Sequence, residues 1–139
     1  MTKVIVSACL IGENCRYDGG NCQNNRVLDY LKDKEYIWAC PEQLGGLSTP
    51  RFPCERKEDK VINNEDQDVT AAFKKGAQSF IALARAHNCT LAIMKSLSPS
   101  CGKGLIYDGT FSGKMKEDNG VTTELLLENN IEVIADTEV

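Results

Sequence analysis

The apolar positions of this chain fall into short unbroken runs, separated by segments in which apolar residues recur every three or four positions. Val4-Ile5-Val6 (followed by Ser7-Ala8), Tyr36-Ile37-Trp38-Ala39 and Leu91-Ala92-Ile93-Met94 are runs of the first kind, and Ile131-Glu132-Val133-Ile134, broken only by Glu132, reads as a fourth strand. Such runs mark strands covered on both faces. Residues 25–32 carry Val27, Leu28 and Leu31 at helical spacing, and residues 68–87 set Val69, Phe73, Ala77, Phe80, Ile81 and Ala84 on one face. Residues 121–129, with Leu125, Leu126 and Leu127, also predict a helix. Strands alternating with helices predict right-handed βαβ units on a parallel sheet. The expected fold is therefore α/β, one domain over residues 1–139, with a small parallel sheet of about four strands flanked by helices in the Rossmann or flavodoxin manner. Its ligand crevice lies at the carboxyl ends of the strands. Residues 10–22, with Gly12, Gly19 and Gly20, and residues 41–66, with Gly45, Gly46, Pro50 and Pro53, show no apolar period and are expected to be loops.

Three of the predicted strands deliver a cysteine to that crevice. Cys9 follows the first, Cys40 the second, and Cys101 follows the third within Ser98-Pro99-Ser100-Cys101-Gly102. Three soft thiolates in one crevice point to a metal or iron-sulfur centre with one coordination position open. The chain has seven cysteines, an odd number, and its N-terminal residues lack the long apolar stretch of a signal peptide. A reduced, cytoplasmic protein is expected, in which thiols serve catalysis or metal binding and not a disulfide framework. Cys89 suits a buried apolar position, Cys22 and Cys54 lie in polar sequence as incidental exposed thiols, and Cys15 stands between these readings. Paired C-x2-4-C ligands of the structural zinc kind are absent from the sequence. A net charge of -4 argues against a nucleic-acid partner. No apolar run approaches membrane-spanning length, so a small-molecule partner is expected.

Other residues suggest roles around the thiols. Glu42 follows Cys40 by two positions in apolar, glycine-rich sequence, where a carboxylate partly stripped of water suits proton transfer. Ser98, three residues before Cys101, could hydrogen-bond a ligand or simply cap a turn. Arg16, Lys95 and Arg51 are candidate anion or carbonyl binders, and His87, the only histidine, falls at a helix end. Cys9 to Arg16 also resembles the cysteine-to-arginine loop of low-molecular-weight phosphatases, but with six intervening residues where that loop has five. Ser98 to Gly104 imitates a phosphate loop without its full pattern.

Taken together, Ser7-Ala8-Cys9-Leu10, Arg16-Tyr17-Asp18-Gly19, Cys40-Pro41-Glu42, Gly45-Gly46-Leu47, Pro50-Arg51, Ser98-Pro99-Ser100-Cys101-Gly102 and Tyr107-Asp108-Gly109-Thr110-Phe111 resemble the short, single-domain thiouracil desulfidases. The resemblance spans nearly the whole chain. It implies a 4Fe-4S cluster held by Cys9, Cys40 and Cys101 with one iron free, and Glu42 and Ser98 assisting removal of sulfur from a thiolated nucleobase. A thiocarbonyl sulfur is soft and suits an open iron acting as Lewis acid. Water oriented by Ser98 and deprotonated by Glu42 would attack the ring carbon, with no net electron transfer, while Arg16 or Lys95 grips the pyrimidine edge. Two other readings stand beside it: an iron-sulfur or sulfur-trafficking protein without turnover, and the phosphatase-like enzyme.

Overall fold

The computed structural model describes residues 3–139. Four parallel strands, β1 (Lys3–Ser7), β2 (Glu35–Ala39), β5 (Cys89–Met94) and β8 (Glu132–Ala135), form one sheet in the order β2-β1-β5-β8. Helices α1 (Asn25–Leu31), α3 (Thr70–Ala86) and α4 (Val121–Glu128) connect them, as the periodicity predicts to within two residues at each end. The reason for the unbroken apolar runs is visible in the packing. Ile5, Ala92, Met94 and Val133 join Phe80, Ile81, Ala84 and Leu126 in one core, whereas Val4, Val6, Leu91 and Ile93 join Val27 and Leu31 in a second. The sheet is thus covered on both sides at its central strands β1 and β5, where successive residues feed alternate layers. The edge strand β2 is only partly covered, contrary to the expectation from its apolar run, and Trp38 is 49% exposed. Cys89, 6% exposed, packs as an apolar residue in the first core.

Residues 41–66 depart from the expected loop. They hold a four-residue helix, α2 (Pro41–Leu44), and an antiparallel hairpin of β3 (Cys54–Lys57) and β4 (Lys60–Asn63). A second short hairpin, β6 (Ile106–Tyr107) with β7 (Met115–Lys116), lies in the glycine-rich stretch before α4. Apolar periodicity misses the first hairpin because its buried positions mix Val61 with the polar Asn63 and the charged Arg56. Arg56 is 6% exposed, and its guanidinium donates to Glu58 O at 2.9 Å, Asn119 O at 2.6 Å and the Glu124 carboxylate at 2.7 Å.

The placement of α2 depends on two glycines. A Cβ built on Gly76 in α3 would lie 1.9 Å from Pro41 O, and one on Gly45 would lie 2.1 Å from Ala72 O. Only residues without a side chain let these two backbones cross so closely. The crossing seats the segment from Cys40 to Gly45 against α3, and with it Cys40 and Glu42. No helix among the described residues is long and apolar enough to cross a membrane.

Candidate active site

A cavity of about 410 Å³ opens at the carboxyl ends of β1, β2 and β5, in the size range of small-molecule sites. Cys9, Cys40, Cys101, Glu42, Ser98, Arg16 and Lys95 all line it, so the structure brings together every residue that the sequence nominated. Cys9 lies in a 3-10 turn (Ala8–Ile11) directly after β1. Cys40 ends β2 as the N-cap of α2, where Pro41 occupies a favoured first helical position and Glu42 falls in the first turn, next to the positive end of the helix. Cys101 returns to the strand ends after a turn in which Leu97 takes a left-handed φ of 68°, a strained value for a leucine.

The thiols form one wall. Cys40 Sγ lies 3.8 Å from Cys15 O, and the Cys15 side chain contacts both Cys9 and Cys40. All seven cysteines are free. Burial pushes the Cys101 thiol up to about 12; the charges of Cys40 and Glu42 add to this, and the Ser7 and Ser100 hydroxyls oppose it. Cys15 is drawn down by Cys40, but its contact with Cys9 and its burial win and raise it to about 12. Cys40 is raised further, first by Cys15 and then by burial. Without a cation these thiols hold their protons, and a metal must displace them. No three His, Cys, Asp or Glu side chains among the described residues close on a single point. A mononuclear ion therefore fits poorly. An iron-sulfur cluster presents a different iron to each thiolate, so several thiols that line one cavity without closing on a single point fit it.

The polar residues are more constrained than the sequence indicates. Ser98 Oγ accepts from Ser100 N at 3.1 Å and Cys101 N at 3.0 Å, so it does cap the turn, and its own O–H is left to donate. Glu42 Oε1 accepts from Arg51 Nε at 3.0 Å. Arg51 is thus occupied within the protein and is not the free anion binder that the sequence suggested. Lys95 Nζ donates to Ser96 O at 3.1 Å and lies 3.9 Å from Asp136 Oδ2, and the Arg16 guanidinium lies 5.5 Å from the Tyr17 ring centre and near Asp18. His87 is at the end of α3 and is not among the cavity residues.

Cys15, Cys22 and Cys54 also line the cavity. Cys15 is 3% exposed, at the centre of the thiol wall, and its only sequence signal is its place in the same glycine-punctuated loop as Cys9. Cys22 and Cys54 are half-buried there and not incidental surface thiols; Cys22 N donates to Cys9 O at 2.9 Å, and nothing local in the sequence marks Cys54.

A family model described as 2-thiouracil desulfurase matches residues 4–138. The chain belongs to the 2-thiouracil desulfurase family. It is 40% identical to the uncharacterized protein YbbK of Bacillus subtilis (strain 168), over 98% of this chain and 97% of that one. Its structure superposes on that of TudS (DUF523Vcz), a [4Fe-4S]-dependent thiouracil desulfidase, with a TM-score of 0.95 and 40% identity, covering 100% of this chain and 93% of TudS. A phosphatase cradle does not form in this member of the family. Such a cradle needs outward backbone N–H groups, but those of Gly12, Glu13, Cys15 and Arg16 donate to Cys9 O, Ala8 O, Glu13 O and Gly20 O.

Proposed function

We propose that the chain is a 4Fe-4S-dependent desulfidase that converts the C=S group of a thiolated nucleobase such as thiouracil to C=O and releases sulfide. The observation that carries this reading is the arrangement of strand-end thiols, a carboxylate and a serine hydroxyl around one cavity. The likeness to TudS supports it. Cys9, Cys40 and Cys101 would hold three irons. When bound, the cluster supplies an open iron that acts as a soft Lewis acid toward the thiocarbonyl sulfur.

The protein's own groups account for the rest. With Oε1 committed to Arg51, Glu42 has its Oε2 free of protein partners among the described residues. Since no described side-chain N or O atom is both buried and unpartnered, Oε2 keeps some exposure, and Glu42 lines the cavity. It takes a proton from water as the water oxygen bonds to the ring carbon; the C–S bond then breaks, and sulfur leaves as sulfide, so thiouracil and water give uracil and hydrogen sulfide. Ser98, with both acceptor positions used, donates its O–H to the ring edge or to water, and Arg16 and Lys95 bound the pyrimidine side of the cavity. A small thiolated base, not nucleic acid, is the partner consistent with a net charge of -4. Seven free thiols suit the reducing cytoplasm.

The test is anaerobic reconstitution with iron and sulfide, followed by incubation with thiouracil. Brown protein with about four irons per chain, and uracil and sulfide formed in equal amounts over many turnovers, are expected. Stoichiometric zinc without iron uptake overturns the cofactor. Full iron loading without turnover leaves an iron-sulfur or sulfur-trafficking protein and overturns the activity.

A further inference from the structure

Arg51 lies at the end of the glycine- and proline-rich segment after α2, and its guanidinium, 7% exposed, is almost fully satisfied within the protein. Nε donates to Glu42 Oε1 at 3.0 Å, Nη1 to Ser48 O at 3.2 Å and Thr49 Oγ1 at 3.0 Å, and Nη2 to Cys15 O at 2.8 Å. Its backbone N–H donates to Tyr17 O at 2.7 Å. Gln43 reaches the same Thr49 hydroxyl at 3.1 Å. One planar group therefore ties three parts of the cavity wall together: the loop carrying Cys15, the first turn of α2, and the turn from Ser48 to Arg51.

These contacts leave little of Arg51 for gripping substrate. Of the five N–H donors of a guanidinium, four already point at protein acceptors. What they do instead is restrict Glu42. A glutamate has three side-chain torsions, and a half-exposed one samples several rotamers. The Glu42 side chain, 16% exposed, is pinned through one oxygen in a direction set by a rigid fork that itself cannot turn.

We infer that Arg51 is the positioning residue of the reaction: it holds Glu42 Oε1 so that Oε2 faces the attacking water, and it contacts neither substrate nor cluster. This rests on the proposed role of Glu42 as base. A lysine replaces it only in part, because an ammonium group lacks the planar fork that meets Glu42, Cys15 O and Thr49 together.

The experiment is a double-mutant cycle in the reconstituted, iron-loaded protein, combining Arg51→Met and Arg51→Lys with Glu42→Gln, and reading kcat, KM and iron content for each variant. Arg51→Met is expected to lower kcat by about 10- to 100-fold, as for the loss of a partner that orients a reacting group, with KM and iron content unchanged. Arg51→Lys should fall between Arg51→Met and the native enzyme. In the Glu42→Gln background, adding Arg51→Met should change kcat by no more than about twofold, since independent sites add within that margin and coupled ones do not. Guanidinium ion added to Arg51→Met should restore part of kcat, which a purely structural defect would not allow. Additive losses overturn the inference, as does loss of iron in both Arg51 variants, which would make the residue a brace for the thiols. A Glu42→Gln enzyme with near-native turnover shows instead that the base itself is misassigned, a result readable without any Arg51 variant.

Discussion

The crossing of Gly76 and Gly45 gives a prediction whose size can be worked from the structure. Neither position needs glycine for its backbone: Gly76 is inside α3, and Gly45 has φ -76° and ψ -4°, values open to any residue. Gly76→Ala is therefore a purely steric change. It should even favour the isolated helix by about 1 kcal/mol. Against that, its Cβ would sit 1.9 Å from Pro41 O, where real Cβ contacts stay beyond 3.0 Å, so α2 and α3 must part by about 1 Å. Overpacking of this kind costs about 1–3 kcal/mol, and the net loss in stability should be at most about 2 kcal/mol. The functional loss should be larger, because the moving segment carries Cys40 and Glu42, and a displacement of about 1 Å at a reacting group costs about 10²-fold in rate. Urea denaturation of the metal-free protein, iron content after reconstitution and thiouracil turnover measure the three quantities. Gly45→Ala, which probes the same crossing from the other side, should show the same pattern. Native iron content and turnover in both variants, with only stability reduced, would refute the claim that this crossing sets the geometry of the site.

Further outcomes follow from the same geometry. Cys9→Ser, Cys40→Ser and Cys101→Ser should each lose iron after anaerobic reconstitution while Cys89→Ser, outside the cavity, keeps it; retention of four irons by Cys40→Ser with loss by Cys15→Ser would exchange those two ligands. Glu42→Gln should keep its cluster and its affinity for thiouracil but lose about 10²- to 10⁴-fold in turnover, measured as sulfide release. The buried thiols Cys15 and Cys101 are raised from 9.0 to about 12, so the native metal-free protein keeps protons that the unfolded chain gives up. Its stability should be whole below pH 9 and fall as pH rises from there toward 12, seen as a declining urea midpoint, and a flat midpoint over that range would contradict it. Arg56→Met leaves Asn119 O and Glu58 O without their donor and should cost about 1–3 kcal/mol in the same assay.

The strands and the helices that join them were legible in the sequence because they rest on local periodicity. Val4, Ile5 and Val6 must alternate between two covered faces, and Phe73, Ala77, Phe80 and Ala84 must share one helix face, whatever the remaining chain does. Once the strands are parallel, Cys9 and Cys40, just beyond strand ends, must share one crevice, whereas Cys101, well past Met94, joins them only through the turn at Leu97. The tertiary structure alone decided how the polar residues are used. The sequence left Ser98 between ligand contact and turn cap; only the 3.0 Å approach of Cys101 N shows that it caps while keeping its proton to donate. Arg51 reads as a loop cation until the chain brings Glu42 and Cys15 O to its guanidinium. Cys15 enters the thiol wall, Arg56 takes a core position, and Gly76 meets Pro41 for the same reason. Hydrogen bonds and close backbone crossings depend on distances of a few ångströms between elements far apart in the chain. No local period of two or 3.6 residues records those distances.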